Sequence, residues 1–143
     1  MYLVGHVIFP LVRGSGITAI GGQTQGADPI AAAVAYTSVL YGERIDSFSV
    51  RKEKKGHGVG GWIVGGVAPG ARIAIVEDVI TTGDSTLLAI ERAREEGLDP
   101  VKVVILADRR ENCALDRIRR QVPDVSAIFT RDQLFAISGN YGL

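Results

Sequence analysis

The chain has 143 residues, 46% hydrophobic and 22% charged, with 16 basic and 16 acidic side chains. That length supports one domain burying roughly two thirds of the surface its unfolded chain exposes, and the composition excludes a disordered polymer. Zero net charge excludes a global basic field for nucleic acid, so any anion site must be local. Cys113 is the only cysteine, which excludes an internal disulfide and a cysteine-built zinc site and fits a reducing, intracellular setting. Residues 1–12 (MYLVGHVIFPLV) are apolar, carry no basic leader and are interrupted by Pro10. They are too short for a membrane span of ~20 apolar residues and lack a cleavage pattern, so they read as a core helix of a soluble, cytoplasmic protein.

Residues 17–22 (ITAIGG) form a β-branched run ending in glycines, a buried strand entering a loop. Asp28 and Pro29 supply an N-cap and first-turn proline for an apolar helix over residues 30–40. Residues 45–50 are the next strand, and residues 51–61 (RKEKKGHGVGG) a charged, glycine-rich loop without period. A strand over 72–76 leads through a loop over 77–84 into a helix. Its Leu87, Ile90, Ala93 and Gly97 face a core and leave Glu91, Arg92, Glu95 and Glu96 in water. A strand over 101–106, a short helix around 114–121 and a strand over 125–129 follow, and residues 139–143 read as a frayed end. Continuous apolar strands alternating with helices predict one α/β domain over residues 1–143, an open, mainly parallel sheet flanked by helices on both faces. Ligands of such sheets bind beyond the carboxyl ends of the strands, where the unusual residues of this sequence lie.

Glu77 and Asp78 follow a strand, and Thr81-Thr82-Gly83-Asp84-Ser85 opens a helix. Adjacent carboxylates at a strand end are costly unless they meet water, metal or hydroxyls. The hydroxyl- and glycine-rich run can aim several N–H groups at one phosphate, although an ordinary loop capped by Asp84 or Ser85 would use the same residues. Diol-binding acids beside a phosphate nest suit a ribose 5-phosphate. The segment resembles the phosphoribosyl-pyrophosphate (PRPP) signature of type I phosphoribosyltransferases. The resemblance implies that Glu77 and Asp78 lie at the ribose hydroxyls, with Asp78 also catalytic. It also makes Val79, Ile80, Thr81, Thr82, Gly83, Asp84 and Ser85 part of the PRPP site.

Arg51-Lys52-Glu53-Lys54-Lys55-Gly56-His57-Gly58 packs four cations into five residues. Each like-charge contact at ~4 Å costs about 1 kcal/mol even in water, and a solvated charge run is the plain reading. The pattern Arg-Lys-x-x-Lys-x-His-Gly resembles the catalytic loop of orotate phosphoribosyltransferases. That implies a homodimer in which Arg51, Lys52, Lys55 and His57 reach the neighbouring subunit's PRPP. Lys55 and His57 would act on the departing pyrophosphate; Lys54 has no family role. Ala107-Asp108-Arg109-Arg110-Glu111 resembles the family's Asp-Arg-x-Glu segment, which implies that Arg109, with Thr81, meets orotate; a surface arginine at a strand end is the plain alternative. Residues 21–29 (GGQTQGADP) resemble the pyrophosphate loop, with Gln25 near a position where many relatives carry lysine.

The resemblance spans residues 17 to about 134. It implies transfer of the phosphoribosyl group from PRPP to orotate, with Mg²⁺ held mainly by PRPP and pyrophosphate, no protein metal ligand, and no nucleic-acid or membrane partner. Family members carry an N-terminal hood over the base, and Met1 stands where such a segment would already have ended, so weak orotate turnover is expected. A transferase for another base, or a PRPP-binding protein without catalysis, are the alternatives. His6 reads as a packed histidine, Cys113 as an inert small residue, and Arg117, Arg119 and Arg120 as a solvated helix face. Trp62 has no assigned role.

Overall fold

The computed structural model describes residues 1–54, 61–111 and 113–141. In chain order the elements are α1 (Tyr2–Val12), β1 (Ala19–Gln23), α2 (Ala27–Leu40), β2 (Asp46–Val50), β3 (Ile63–Val64), β4 (Arg72–Ile80), α3 (Asp84–Glu95), β5 (Asp99–Asp108), α4 (Ala114–Arg119), β6 (Val125–Thr130) and α5 (Arg131–Tyr141). The strands form one sheet in the order β3-β2-β1-β4-β5-β6, parallel throughout except for the β2–β3 pair. The expected open, mainly parallel sheet is therefore present. Its strand order reverses between β1 and β4, the point at which such sheets open a ligand crevice.

Alternation along β4 sorts the core onto two faces. Ile73 and Ile75 join Phe48, Ile90, Ile105 and Ile118 on the side of α3 and α4. Ala74 and Val76 join Ile8, Phe9, Ile20 and Val34 on the side of α1 and α2. Helix α1 passes through Pro10, whose ring is exposed, and buries Ile8, Phe9 and Val12. His6 packs near the rings of Tyr2 and Tyr41.

Four expectations need correction. The strand expected over 72–76 runs on to Ile80, because β5 extends beside it and pairs Val79 with Ala107 and Ile80 with Asp108. Glu77 and Asp78 are thus strand residues, not loop residues. Helix α2 starts at Ala27 behind Gly26, and the Asp28 carboxylate accepts a bond from Ser49 Oγ at 2.7 Å instead of capping the helix. The hairpin strand β3 lies within a stretch given no element. Helix α5 runs to Tyr141, through residues expected to fray.

Helices α1 and α2 approach through Gly5. A Cβ there would collide with Thr37 Oγ1 and lie 2.5 Å from the Ala33 carbonyl oxygen, while Thr37 is held by its own bond to that oxygen at 2.8 Å. Overpacking of this kind costs about 1–3 kcal/mol. Gly5→Ala should lower Tm by roughly 3–10 °C in a thermal melt; an unchanged Tm would show that the two helices separate freely.

Candidate active site

The site grows from the carboxyl end of β4. Because strand side chains alternate, the two acids point to opposite faces of the sheet. Glu77 is buried on the α3 side, where its Oε2 accepts bonds from Ser85 Oγ at 2.7 Å and Thr86 Oγ1 at 3.0 Å. Burial raises the Glu77 pKa above the usual carboxylate range; the two hydroxyls oppose that shift and the neighbouring Asp78 charge adds to it. Asp78 is half-exposed on the other side. Its Oδ1 accepts the Val79 N–H at 2.7 Å, and a Cβ on Gly26 would lie 2.6 Å from its Oδ2. The loop after β1, with a cis Thr24–Gln25 peptide, therefore lies directly against Asp78.

Beyond Ile80 the chain turns through Thr81 and Thr82 to Gly83, whose φ of +83° suits glycine. Gly83, not Asp84 or Ser85, holds the N-cap position of α3, and no side chain caps that terminus. Thr82 Oγ1 donates to Asp84 Oδ2 at 2.9 Å, and Arg117 from α4 donates to the Thr82 carbonyl at 2.7 Å and pairs with Asp84 at 2.8 Å. The Thr82 hydroxyl, then Arg117, holds the Asp84 carboxyl below its ordinary range. Arg117 is thus no solvated-face residue but the brace of this turn. A Cβ on Gly83 would meet Ala114 Cβ and Ile118 Cδ1, each at 3.4 Å, so α4 also backs the turn from beneath.

Arg109 is exposed and pairs with Glu111 at 3.0 Å. It lines a cleft of about 450 Å³ with Val79, Ala107, Arg131, Leu134 and Phe135, next to the acid pair. Thr81 is half-buried at the start of the turn. Arg131 and Phe135, on the helix that sequence reading missed, complete this cleft.

The cationic segment begins elsewhere. Arg51 lines a second cleft, of about 440 Å³, with Gly61, Ile63, Glu96 and Leu98, at the far end of α3 from Gly83. Lys52 and Lys54 are exposed, and Lys54 Nζ lies 5.7 Å from the Trp62 ring centroid. Lys55 and His57 lie outside the described residues. Arg92, expected in water, is buried, because its guanidinium donates to the Arg51 and Lys52 carbonyls at 2.7 and 2.9 Å. Cys113 is exposed, at a φ of +50° ahead of α4.

Glu77 carries a pH signature. A carboxyl whose folded pKa is raised favours folding below the ordinary carboxylate range, and that contribution is lost as pH rises through the folded value. Glutamine at this position can still accept from Ser85 and Thr86 but never ionises. Glu77→Gln should therefore melt higher than the parent at about pH 7, with the gap closing toward about pH 4. A gap independent of pH would mean that the buried charge is not its source.

No protein-family model matches the chain. It is 46% identical to orotate phosphoribosyltransferase of Aquifex aeolicus over 77% of its own length and 60% of that protein's. It is 42% identical to the Sorangium cellulosum orotate phosphoribosyltransferase over 90% of its own length and 68% of that protein's. The chain thus spans about 60% of the length of several curated relatives it matches. Its fold superposes on the Mycobacterium tuberculosis orotate phosphoribosyltransferase in complex with PRPP with a TM-score of 0.80 and 30% identity, over 93% of this chain and 74% of that one. On these similarities the chain belongs to the orotate phosphoribosyltransferase family.

Proposed function

We propose that the chain transfers the 5-phosphoribosyl group from PRPP to orotate, giving orotidine 5′-phosphate and pyrophosphate, a step of pyrimidine nucleotide synthesis. The observation that carries this reading is the division of labour in the acid pair. Asp78 faces the crevice between β1 and β4, while Glu77 anchors the helix that carries the turn over residues 81–85. One acid is thereby available to ribose hydroxyls, and the backbone N–H groups of the turn are available to the 5-phosphate.

Bond cleavage at the ribose C1 develops oxocarbenium character, so these residues work by positioning and charge. Asp78 accepts from the ribose hydroxyls and keeps negative charge near the cationic ring. Arg109 offers a planar fork to the orotate carboxylate, with Thr81 near the base and Val79, Leu134 and Phe135 as apolar walls. Lys55 and His57 stabilise or protonate the departing pyrophosphate.

Mg²⁺ fits this donor set in a limited way. No group of three or more potential metal ligands occurs among the described residues, while the Asp78 carboxylate sits in a cradle that a Cβ at residue 26 would fill. The ion would therefore draw most of its oxygens from PRPP and water, with Asp78 nearby, and when bound would neutralise charge on the leaving pyrophosphate. Arg51 lies toward the far end of α3 from Gly83, which supports a homodimer whose cationic segments serve each other's sites. Cytoplasmic localisation accords with a single, unpaired cysteine. Among the described residues no helix is long and apolar enough to cross a membrane.

The test is the fall in orotate absorbance with PRPP and Mg²⁺, beside calorimetry of PRPP alone. Turnover of another base in place of orotate would assign a different transferase, and PRPP binding without any turnover would assign a binding protein. Losing a charged hydrogen bond costs about 1.5–3 kcal/mol, so Asp78→Asn should lower kcat/KM for PRPP roughly 10–100-fold with little change in Tm. Parent-like kinetics in that variant would remove Asp78 from the site. Mixing Lys55→Ala with Asp78→Asn chains should raise activity in hybrid dimers well above that of either impaired parent, because one of the two sites then receives both intact residues. Mixed dimers no more active than those parents would refute sharing.

A further inference from the structure

A buried arginine with no acidic partner calls for an explanation. Arg92 is 8% exposed, its Nε has no hydrogen-bond partner, and no ion pair reaches it among the described residues. Its charge is met by two consecutive carbonyls, Arg51 O at 2.7 Å and Lys52 O at 2.9 Å, and by the face of Trp62, whose ring centroid lies 4.1 Å from Cζ. Trp62 is bound in turn to the same helix. Its peptide N–H donates to Glu96 Oε1 at 2.8 Å and its indole Nε1–H to Glu95 Oε2 at 2.6 Å. Arg51 N–H closes the ring of contacts on Trp62 O at 2.8 Å.

Residues 92, 95 and 96 stand at helical spacings of three and four, so one face of the last turn of α3 grips residues 51, 52 and 62. These are the two ends of the cationic segment. Core packing alone needs no guanidinium here, since a cation is costly to bury unless its donors are satisfied. The planar fork matches a pair of carbonyls as a single ammonium cannot. Along α3 this grip starts about 14 Å from Gly83, at ~1.5 Å per residue over the nine residues to Arg92.

We propose that Arg92, together with Trp62, is a positioning residue for PRPP binding: it fixes the backbone that carries Arg51 and Lys52. The inference rests on the PRPP reading given above. Residues 51 and 52 held in place before the ligand arrives lower the cost of bringing their cations to the pyrophosphate, so loss of the grip weakens PRPP and not orotate.

The test compares the full-length parent with Arg92→Lys, Trp62→Phe, Glu95→Gln and, as a control within the proposed site, Lys52→Ala. Arg92→Lys keeps the charge but loses the fork; Trp62→Phe keeps a ring but loses the indole N–H; Glu95→Gln alters an exposed acceptor and keeps the protein folded if Arg92→Lys does not fold. The Kd and KM for PRPP with Mg²⁺ should rise about tenfold in Arg92→Lys and roughly threefold in the other two, while the orotate KM stays within about twofold. Far-UV circular dichroism at the assay temperature should match the parent. Trp62 is the only tryptophan, so parent emission should respond to PRPP and Arg92→Lys should lose that response. Equal rises in the KM of both substrates, or PRPP affinity within twofold of the parent in the folded variants, would overturn the inference. If Lys52→Ala weakens PRPP and these variants do not, the inference alone falls. A parent that binds no PRPP removes both readings.

Discussion

A carboxylate buried where the central strand ends must find donors, and Glu77 finds them in Ser85 and Thr86 at the start of α3. Leaving such a group unpaired costs several kcal/mol, roughly the size of a domain's whole stability margin. The two hydroxyls therefore dictate where α3 begins relative to β4. Once strand end and helix start are joined, the chain between them has only three residues, 81–83, in which to reverse, and Gly83 takes the left-handed conformation. Arg117 and the small face of α4 then fit against a turn whose position is already set. Asp78, one residue along the strand, is delivered to the opposite face by the same pairing.

The rigid body that results is α3 itself. At its first turn it supports the phosphate nest proposed above; at its last turn Arg92, Glu95 and Glu96 hold the strand end and hairpin that bracket the cationic segment. The proposed anion nest and the root of the cationic segment are thereby mounted on one helix about 18 Å long. A shift of the helix would displace both together, so their separation is protected even if their common position drifts.

Much of this was legible in the sequence, and the limits follow from chemistry. Five of the six strands and the motif of the acid pair with its glycine turn are local patterns legible in the sequence, although β4 runs on to Ile80 and carries both acids. The apolar run ends at Val76, so Glu77 and Asp78 read as loop residues; the hydroxyls that tolerate Glu77 lie eight and nine residues away and carry no mark of that role. Arg92 fell on the polar side of a helical period, and only carbonyls some forty residues distant make its burial affordable. Arg117 was likewise one of three arginines in a row of four, distinguished by a contact to Thr82 that no local pattern announces. A two-residue strand such as β3 has too few positions to show a period. Lys55 and His57 rest on motif alone.

On the proposed function, the placement of charge lets a neutral chain serve a highly charged ligand. Around the turn the described side chains include three acids, Glu77, Asp78 and Asp84, and the nearby Arg117 is already engaged with Asp84 and the Thr82 carbonyl. Arg51, Lys52 and Lys54 form no ion pair among the described residues, and they belong to the segment rooted at the other end of α3. A bare phosphate at the nest would meet backbone N–H groups but also carboxylate repulsion. A ligand that brings hydroxyls to Asp78 turns that repulsion into bonding, and one that carries a second, distal anion gives the remote cations something to reach. On the proposed reading, selectivity for a sugar phosphate with a pyrophosphate on its far side follows from keeping the acids at the nest and the unpaired cations at a distance, without any net charge on the protein.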